Sequence, residues 1–294
     1  MGAHFMFKNI KPPTTYSQQV KLLQGRNVLV SNVSECEIFL SRVNYYRFTG
    51  YLLPFVDRPS DHCDPPVEFD RIVQIYSFDA ELRNLIAHAT EKIEIYIRTQ
   101  LAYRSAHQYG ALGYMNAQNY NKHHDHVKFL GLINKAISDN RNSPVVRHHI
   151  AVYGGNFPIW VIIDYFSLGM LSKFYADLPN RDKSHIAHDL YGVNYQTLSS
   201  WLRCLTDLRN RCAHYSRLYY WTFPALPVLP VTSPFSPDRR LFTQLFMLKL
   251  LYPEPDNWNK DFMDPLAKIM SKYKNSICKE HIGFPYRWRS ILSR

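Results

Sequence analysis

The segment Asp207-Leu208-Arg209-Asn210-Arg211-Cys212-Ala213-His214 gathers a permanent cation, a carboxamide and an imidazole that titrates near neutrality. Such a set suits a phosphodiester. The guanidinium offsets charge on the phosphorane oxygens, and the imidazole moves a proton. An Arg with a His five positions later also arises by chance, and a solvated helix face with an incidental histidine is the plain alternative. On a continuous helix His214 lies four residues from Asn210 and three from Arg217, so the three share one stripe. Asn210 would then fix the imidazole's tautomer and Arg217 would add charge. Arg209 lies about 140° around the helix from His214. It must reach around, meet His214 through a bend, or meet the His of a second copy. A side-by-side homodimer would join two Arg and two His in one cleft. The matching reaction is attack of a ribose 2′-OH on the adjacent phosphate, which needs no metal and spares DNA.

Other groups rank below this one. Lys122-His123-His124-Asp125-His126 holds three His and an Asp, but neighbouring residues point in different directions and rarely share one ion, so a solvated loop is favoured over a metal site. His185 and His188 are discounted in the same way. Glu94 and Arg98, one turn apart, form an intrahelical ion pair or orient the motif. Arg47 contacts RNA or caps a helix. Cys212 is a small core residue, since no Cys/His or Ser/His/Asp arrangement accompanies it. With no Walker-type loop and no Gly-x-Gly-x-x-Gly, no cofactor is expected.

The chain has 294 residues, 46% hydrophobic and 20% charged, which is ordinary for a folded domain. No apolar run reaches 18 residues, so no membrane span is expected, and Met1 to Phe7 is too short for the apolar part of a signal peptide. Five scattered cysteines without a Cys-x-x-Cys argue against a disulfide framework and for a reducing cytoplasm. A net charge of +11 points to a polyanionic partner, nucleic acid first. The excess is uneven: Lys260 to Arg294 holds eight basic and three acidic residues. The tail from Tyr286 through Arg287, Trp288 and Arg289 to Arg294 interleaves cations with aromatics, which can neutralise phosphates and stack bases. Equally, Trp288 can pack on the core.

The elements that must position these groups are helical nearly throughout. Lys11-Pro12-Pro13 leads into a helix capped by Thr14 or Thr15, running through Leu23 and ended by Gly25. A second spans about Ser34 to Tyr46, with Glu37 as capping-box partner to Ser34. Residues 57–66 read as a loop. Apolar residues recur at threes and fours from Phe69 to Tyr109 without Gly or Pro, which predicts one long helix or two abutting ones. Residues 110–156 are looser, with a helix at about His126 to Ser138. Phe157 opens a helical stretch to Leu178, with Gly169 at a close approach. Asn194 or Thr197 starts the motif helix, whose stripe is Leu198, Trp201, Leu202, Leu205 and Leu208, continuing to Arg217. Prolines at 224, 227, 230, 234 and 237 impose an extended segment. Helices at about Asp238–Leu251 and Asp264–Lys274 close the chain.

Several phrases together resemble the abortive-infection family of bacterial phage-defence proteins, of the AbiD/AbiF type. They are Asn44-Tyr45-Tyr46-Arg47-Phe48-Thr49-Gly50-Tyr51-Leu52-Leu53-Pro54-Phe55, Tyr76-Ser77-Phe78-Asp79 with Leu82-Arg83, and Ile93-Glu94-Ile95-Tyr96-Ile97-Arg98. Pro158-Ile159-Trp160, Phe166 to Ser172, Leu208 to Leu218 and Ile282-Gly283-Phe284-Pro285 complete the set. The resemblance implies an all-α, HEPN-like helical bundle at 67–223, with an N-terminal helical extension at 1–66 and a Pro-rich loop and basic helical segment at 224–294, in one compact unit. It also implies an Arg-x(4–6)-His ribonuclease motif, matched by Arg209 and His214 with Asn210 beside them. The implied activity is that of a metal-independent, toxin-like endoribonuclease, or of an RNA-binding relative without cleavage. Such a protein would be cytoplasmic and homodimeric, and held in check by a small non-coding RNA. Arg217, Arg211, Arg47, Arg287, Trp288 and Arg289 are the expected RNA contacts.

Overall fold

The computed structural model describes residue 10 and residues 12–293, so residues 1–9, Lys11 and Arg294 lie outside the described residues. The reading of Met1 to Phe7 falls in that excluded stretch. The fold is all-α: thirteen α-helices with four two-residue strands among the described residues. Two compact units form. The first runs to Asp79 and takes in Tyr273–Ile277; the second comprises Ala80–Lys272 and Cys278–Arg294. The first unit therefore extends past residue 66, where the sequence suggests a boundary, into the long helix.

In the first unit, α1 (Tyr16–Gln24) opens on a capping box in which Thr15 and Gln18 satisfy each other's backbone amides. Asn32, not Ser34, caps α2 (Val33–Arg42) by accepting from the Glu35 amide. The expected helix to Tyr46 stops at Arg42 because Val43 is extended and Asn44 caps a new turn, α3 (Tyr45–Thr49). Strand β1 (Val28–Leu29) pairs in parallel with β4 (Val67–Glu68), and β2 (Val56–Asp57) antiparallel with β3 (His62–Cys63). Buried Tyr51 donates to the buried Asp79 carboxylate at 2.7 Å, tying the Asn44–Phe55 phrase to the Tyr76–Asp79 phrase.

The long helix, α4 (Phe69–Tyr109), is uninterrupted over 41 residues. In the second unit, α5 (His126–Asp139) lies one residue from its expected end. The region read as loose also holds α6 (Pro144–Tyr153), which starts with proline at its first turn and ends on Gly154 in the left-handed conformation. A short α7 (Ile159–Ile162), a single 3-10 turn and α8 (Leu168–Asp177) divide the stretch expected as one helix. Next come α9 (Asn180–Tyr191) and α10 (Tyr195–Ala213), the latter capped by Asn194. Helices α11 (Leu241–Leu251), α12 (Asp264–Lys272) and α13 (Trp288–Leu292) follow.

Helix α10 is the centre of the second unit, packed by α8, α9 and α11. Its apolar stripe, Leu198, Trp201, Leu202, Leu205 and Leu208, is buried as its spacing predicts, and Cys204 and Cys212 join it. The Pro-rich segment is pinned to the helices beneath it: Trp201 Nε1 donates to the Val228 carbonyl and Gln244 Nε2 to that of Ala225. None of the five cysteines forms a disulfide. No helix among the described residues is long and apolar enough to cross a membrane. Leu208 is fully buried and precedes the motif arginine. Leu208→Ala should cost roughly 3 kcal/mol through lost burial and the cavity left behind, read as a lower urea midpoint at unchanged slope.

Candidate functional site

Helix α10 ends earlier than its pattern suggests. It stops at Ala213, with His214 as its C-cap. Tyr215 then takes the left-handed conformation at φ 55°. The amides of Tyr215 and Ser216 return to the carbonyls of Cys212 and Arg211, which is a Schellman closure. Glycine normally fills the left-handed position; here a tyrosine does, at a cost of about 1–2 kcal/mol. No Gly or Pro marks this ending, and the expected continuation to Arg217 is corrected. The shared stripe of Asn210, His214 and Arg217 goes with it. Arg217 sits beyond the turn and donates from Nη1 to the carbonyls of Tyr219 and Tyr220, holding the loop. Asn210 and His214 are both exposed, and among the described residues their side chains do not hydrogen-bond each other.

Arg209 is positioned from α4. The Glu94 carboxylate is buried and split between two guanidiniums. Its Oε1 accepts from Arg98 Nη2 at 2.7 Å, and its Oε2 lies 3.3 Å from Arg209 Nε. Arg98 also donates to the Phe166 carbonyl at 2.8 Å, so it is locked from two sides. Of the two sequence readings for Glu94 and Arg98, the structure has both: the intrahelical pair forms, and it orients the motif arginine. Arg209 remains 38% exposed at its side chain, so its terminal nitrogens can face a ligand. A cavity of about 450 Å³ opens there, lined by Glu91, Glu94, Ile95, Arg98, Arg209 and Ala213 among others. Two carboxylates balance two guanidiniums, so this cleft is no general phosphate funnel. An anion must meet the outer edge of Arg209.

The remaining candidates separate into used and available groups. Arg211 stacks over the Trp221 ring at 3.5 Å, and Arg47 over Tyr76 at 5.8 Å; both are committed to the fold. Asp207, one turn before Arg211, has its carboxyl pKa raised by burial, against the pull of the Arg211 charge. Trp288 is corrected as a stacking residue: it is buried, edge-to-face with Phe284 at 5.4 Å. The exposed aromatic of the tail is Tyr286, and Arg287 and Arg289 are exposed close to it in the chain.

The histidine cluster is not the solvated loop expected. The side chains of His124 and Asp177 are buried and joined at 2.8 Å, His124 Nε2 meets His126 Nδ1 at 3.1 Å, and His126 Nε2 reaches the Met115 carbonyl. A carboxylate and a carbonyl only accept, so His124 Nδ1 donates to Asp177 and His126 Nε2 donates to Met115. The chain is a strap between α5 and α8, braced by Lys173 on Asp177 and by Tyr120 stacked on His124. His123 is exposed beside it.

A family model of Abi-like proteins matches residues 38–220, which is more than half of the chain. The chain belongs to that family. No curated protein and no solved structure matches it.

The Glu94 arrangement makes an asymmetric prediction. Glu94→Ala leaves Arg98 largely buried without its carboxylate and should cost about 3 kcal/mol. Arg209→Ala removes only the exposed arm and should cost less than about 1 kcal/mol. Urea unfolding of both variants compares them, and equal losses would show that Glu94 serves Arg209 no less than Arg98.

Proposed function

We propose that this Abi-like protein is a metal-independent endoribonuclease of phage defence, a HEPN-like member of the AbiD/AbiF type. The supporting observation is the placement of Arg209. Glu94 fixes one side of its guanidinium, and the other side faces a cleft at the end of the helix that carries the exposed His214. An imidazole at a helix C-terminus, beyond the apolar stripe, is free to exchange protons with a ligand.

In the reaction an imidazole accepts the ribose 2′-OH proton, and the 2′-oxygen bonds to phosphorus. The bond from phosphorus to the 5′-oxygen breaks, and an imidazolium protonates that oxygen. The products are a 2′,3′-cyclic phosphate and a 5′-hydroxyl. Arg209 stabilises the charged phosphorane. One chain offers one motif histidine, so a homodimer supplies base and acid from two copies of His214. Asn210 is exposed one turn before His214, and a bound small RNA holding the toxin in check belongs to this reading. A protein that binds RNA without cutting it is the second reading, favoured by the balanced charge of the cleft and by a His214 that no side chain among the described residues hydrogen-bonds.

His214→Ala and Arg209→Ala should each lower cleavage of single-stranded RNA by about 10²-fold or more, with EDTA leaving the wild type unaffected. RNA left intact by the wild type favours the second reading, and loss of cleavage in EDTA removes the metal-free mechanism. Light scattering should give twice the chain mass at micromolar concentration; a strict monomer that still cleaves would exclude the two-copy site.

A further inference from the structure

A large cavity belongs to the first unit and to none of the motif residues. It is an open cleft of about 1120 Å³ between α1, α2 and α3. That exceeds the roughly 300–1,000 Å³ of a small-molecule pocket, so it fits an extended ligand better than a compact one. Its wall carries Tyr16, Tyr45 and Tyr46 together with Lys21, Arg26 and Arg42. Positive charge is concentrated there. Residues 12–79 hold eight acidic and six basic side chains. Three of the six basic ones line the cleft, and of the eight acidic ones only Asp61 does, paired to Arg26 at 2.6 Å.

The tyrosines are placed for use. Tyr46 is 75% exposed and Tyr16 49% exposed, so neither ring is spent on the core. Asn44 accepts from the amides of Tyr46 and Arg47, which fixes the turn that presents the ring. Tyr45 meets Tyr46 edge-to-face at 5.9 Å, which holds the two rings at a set angle. Lys21 and Arg42 are both exposed, while Arg26 is held by Asp61. Exposed rings interleaved with exposed cations in an open groove are the equipment for unpaired nucleotides: bases stack on the rings while phosphates follow the cations.

We propose that this cleft binds a single-stranded segment of RNA, with bases stacked on Tyr46 and Tyr16 and phosphates held by Lys21 and Arg42. The site rests on RNA being the protein's partner, as in the function proposed for the chain, but not on cleavage. A 2′-O-methyl oligouridylate of twelve nucleotides, labelled with fluorescein, cannot undergo 2′-OH attack and reports binding alone. With the full chain, fluorescence anisotropy should show Tyr46→Ala weakening binding about tenfold and Tyr46→Phe keeping it. Arg42→Glu should weaken binding and flatten its salt dependence. His214→Ala should bind as the wild type does while failing to cleave unmodified RNA, so the site and the nuclease fail separately. Wild-type affinity in Tyr46→Ala, equal affinity for a twelve-base-pair RNA duplex, or no binding of any oligonucleotide would each overturn the proposal.

Discussion

The buried carboxylate of Glu94 sets the geometry on which the candidate site depends. A carboxylate with so little exposure must be compensated, and two guanidiniums do this from opposite sides. Arg98, itself anchored on the Phe166 carbonyl, takes one oxygen and is structural. Arg209 takes the other and stays partly in solvent. The arrangement gives a rigid, pre-oriented cation at small entropic cost, because one side of a flexible arm is already fixed before a ligand arrives. Packing supports the same end: the buried stripe of α10 fixes the helix from which Arg209 projects, and α4 supplies the carboxylate.

Periodicity and capping are what the sequence makes legible here. The apolar spacing from Phe69 to Tyr109 has no breaker, and a single helix occupies those residues. Asn194, Thr15 and the stripe of α10 follow the same local rules. Local rules fail where a terminator uses unusual chemistry. Tyr215 closes α10 in a conformation ordinarily left to glycine, so the helix end, and with it the surroundings of His214, is hidden in the sequence. They also fail where a contact joins residues distant in sequence. Glu94 and Arg98 are visible as a pair by spacing, but nothing local links Glu94 to Arg209. Trp288 and the His124–Asp177 strap escape the sequence for the same reason: burial is decided by what packs on a residue, not by its neighbours in the chain.

Two helices that hydrophobic spacing does not reveal show a different limit. Helix α6 has both its signals in the sequence, Ser143-Pro144 at the start and Gly154 at the end, and α9 has Pro179 and Gly192. Their composition conceals them, since each buries few residues. Punctuation by Pro and Gly is the better guide there than apolar periodicity.

Charge is distributed against expectation. A chain of net charge +11 would be expected to concentrate cations where RNA reacts. Instead the Arg209 cleft is balanced, two carboxylates against two guanidiniums, and several motif cations are engaged internally: Arg211 on Trp221, Arg217 on loop carbonyls. Such a site can stabilise charge that develops on one phosphate, but it cannot hold a polyanion by field alone. In the function proposed for the chain, affinity for RNA is assigned to cations that the fold leaves exposed, and these lie elsewhere: Lys21 and Arg42 beside exposed tyrosines, and Arg287 and Arg289 beside Tyr286 in the chain. On that proposal, separating holding from reacting would let each site be tuned alone, because a strongly positive reacting cleft would bind product as tightly as substrate and gain nothing in the transition state.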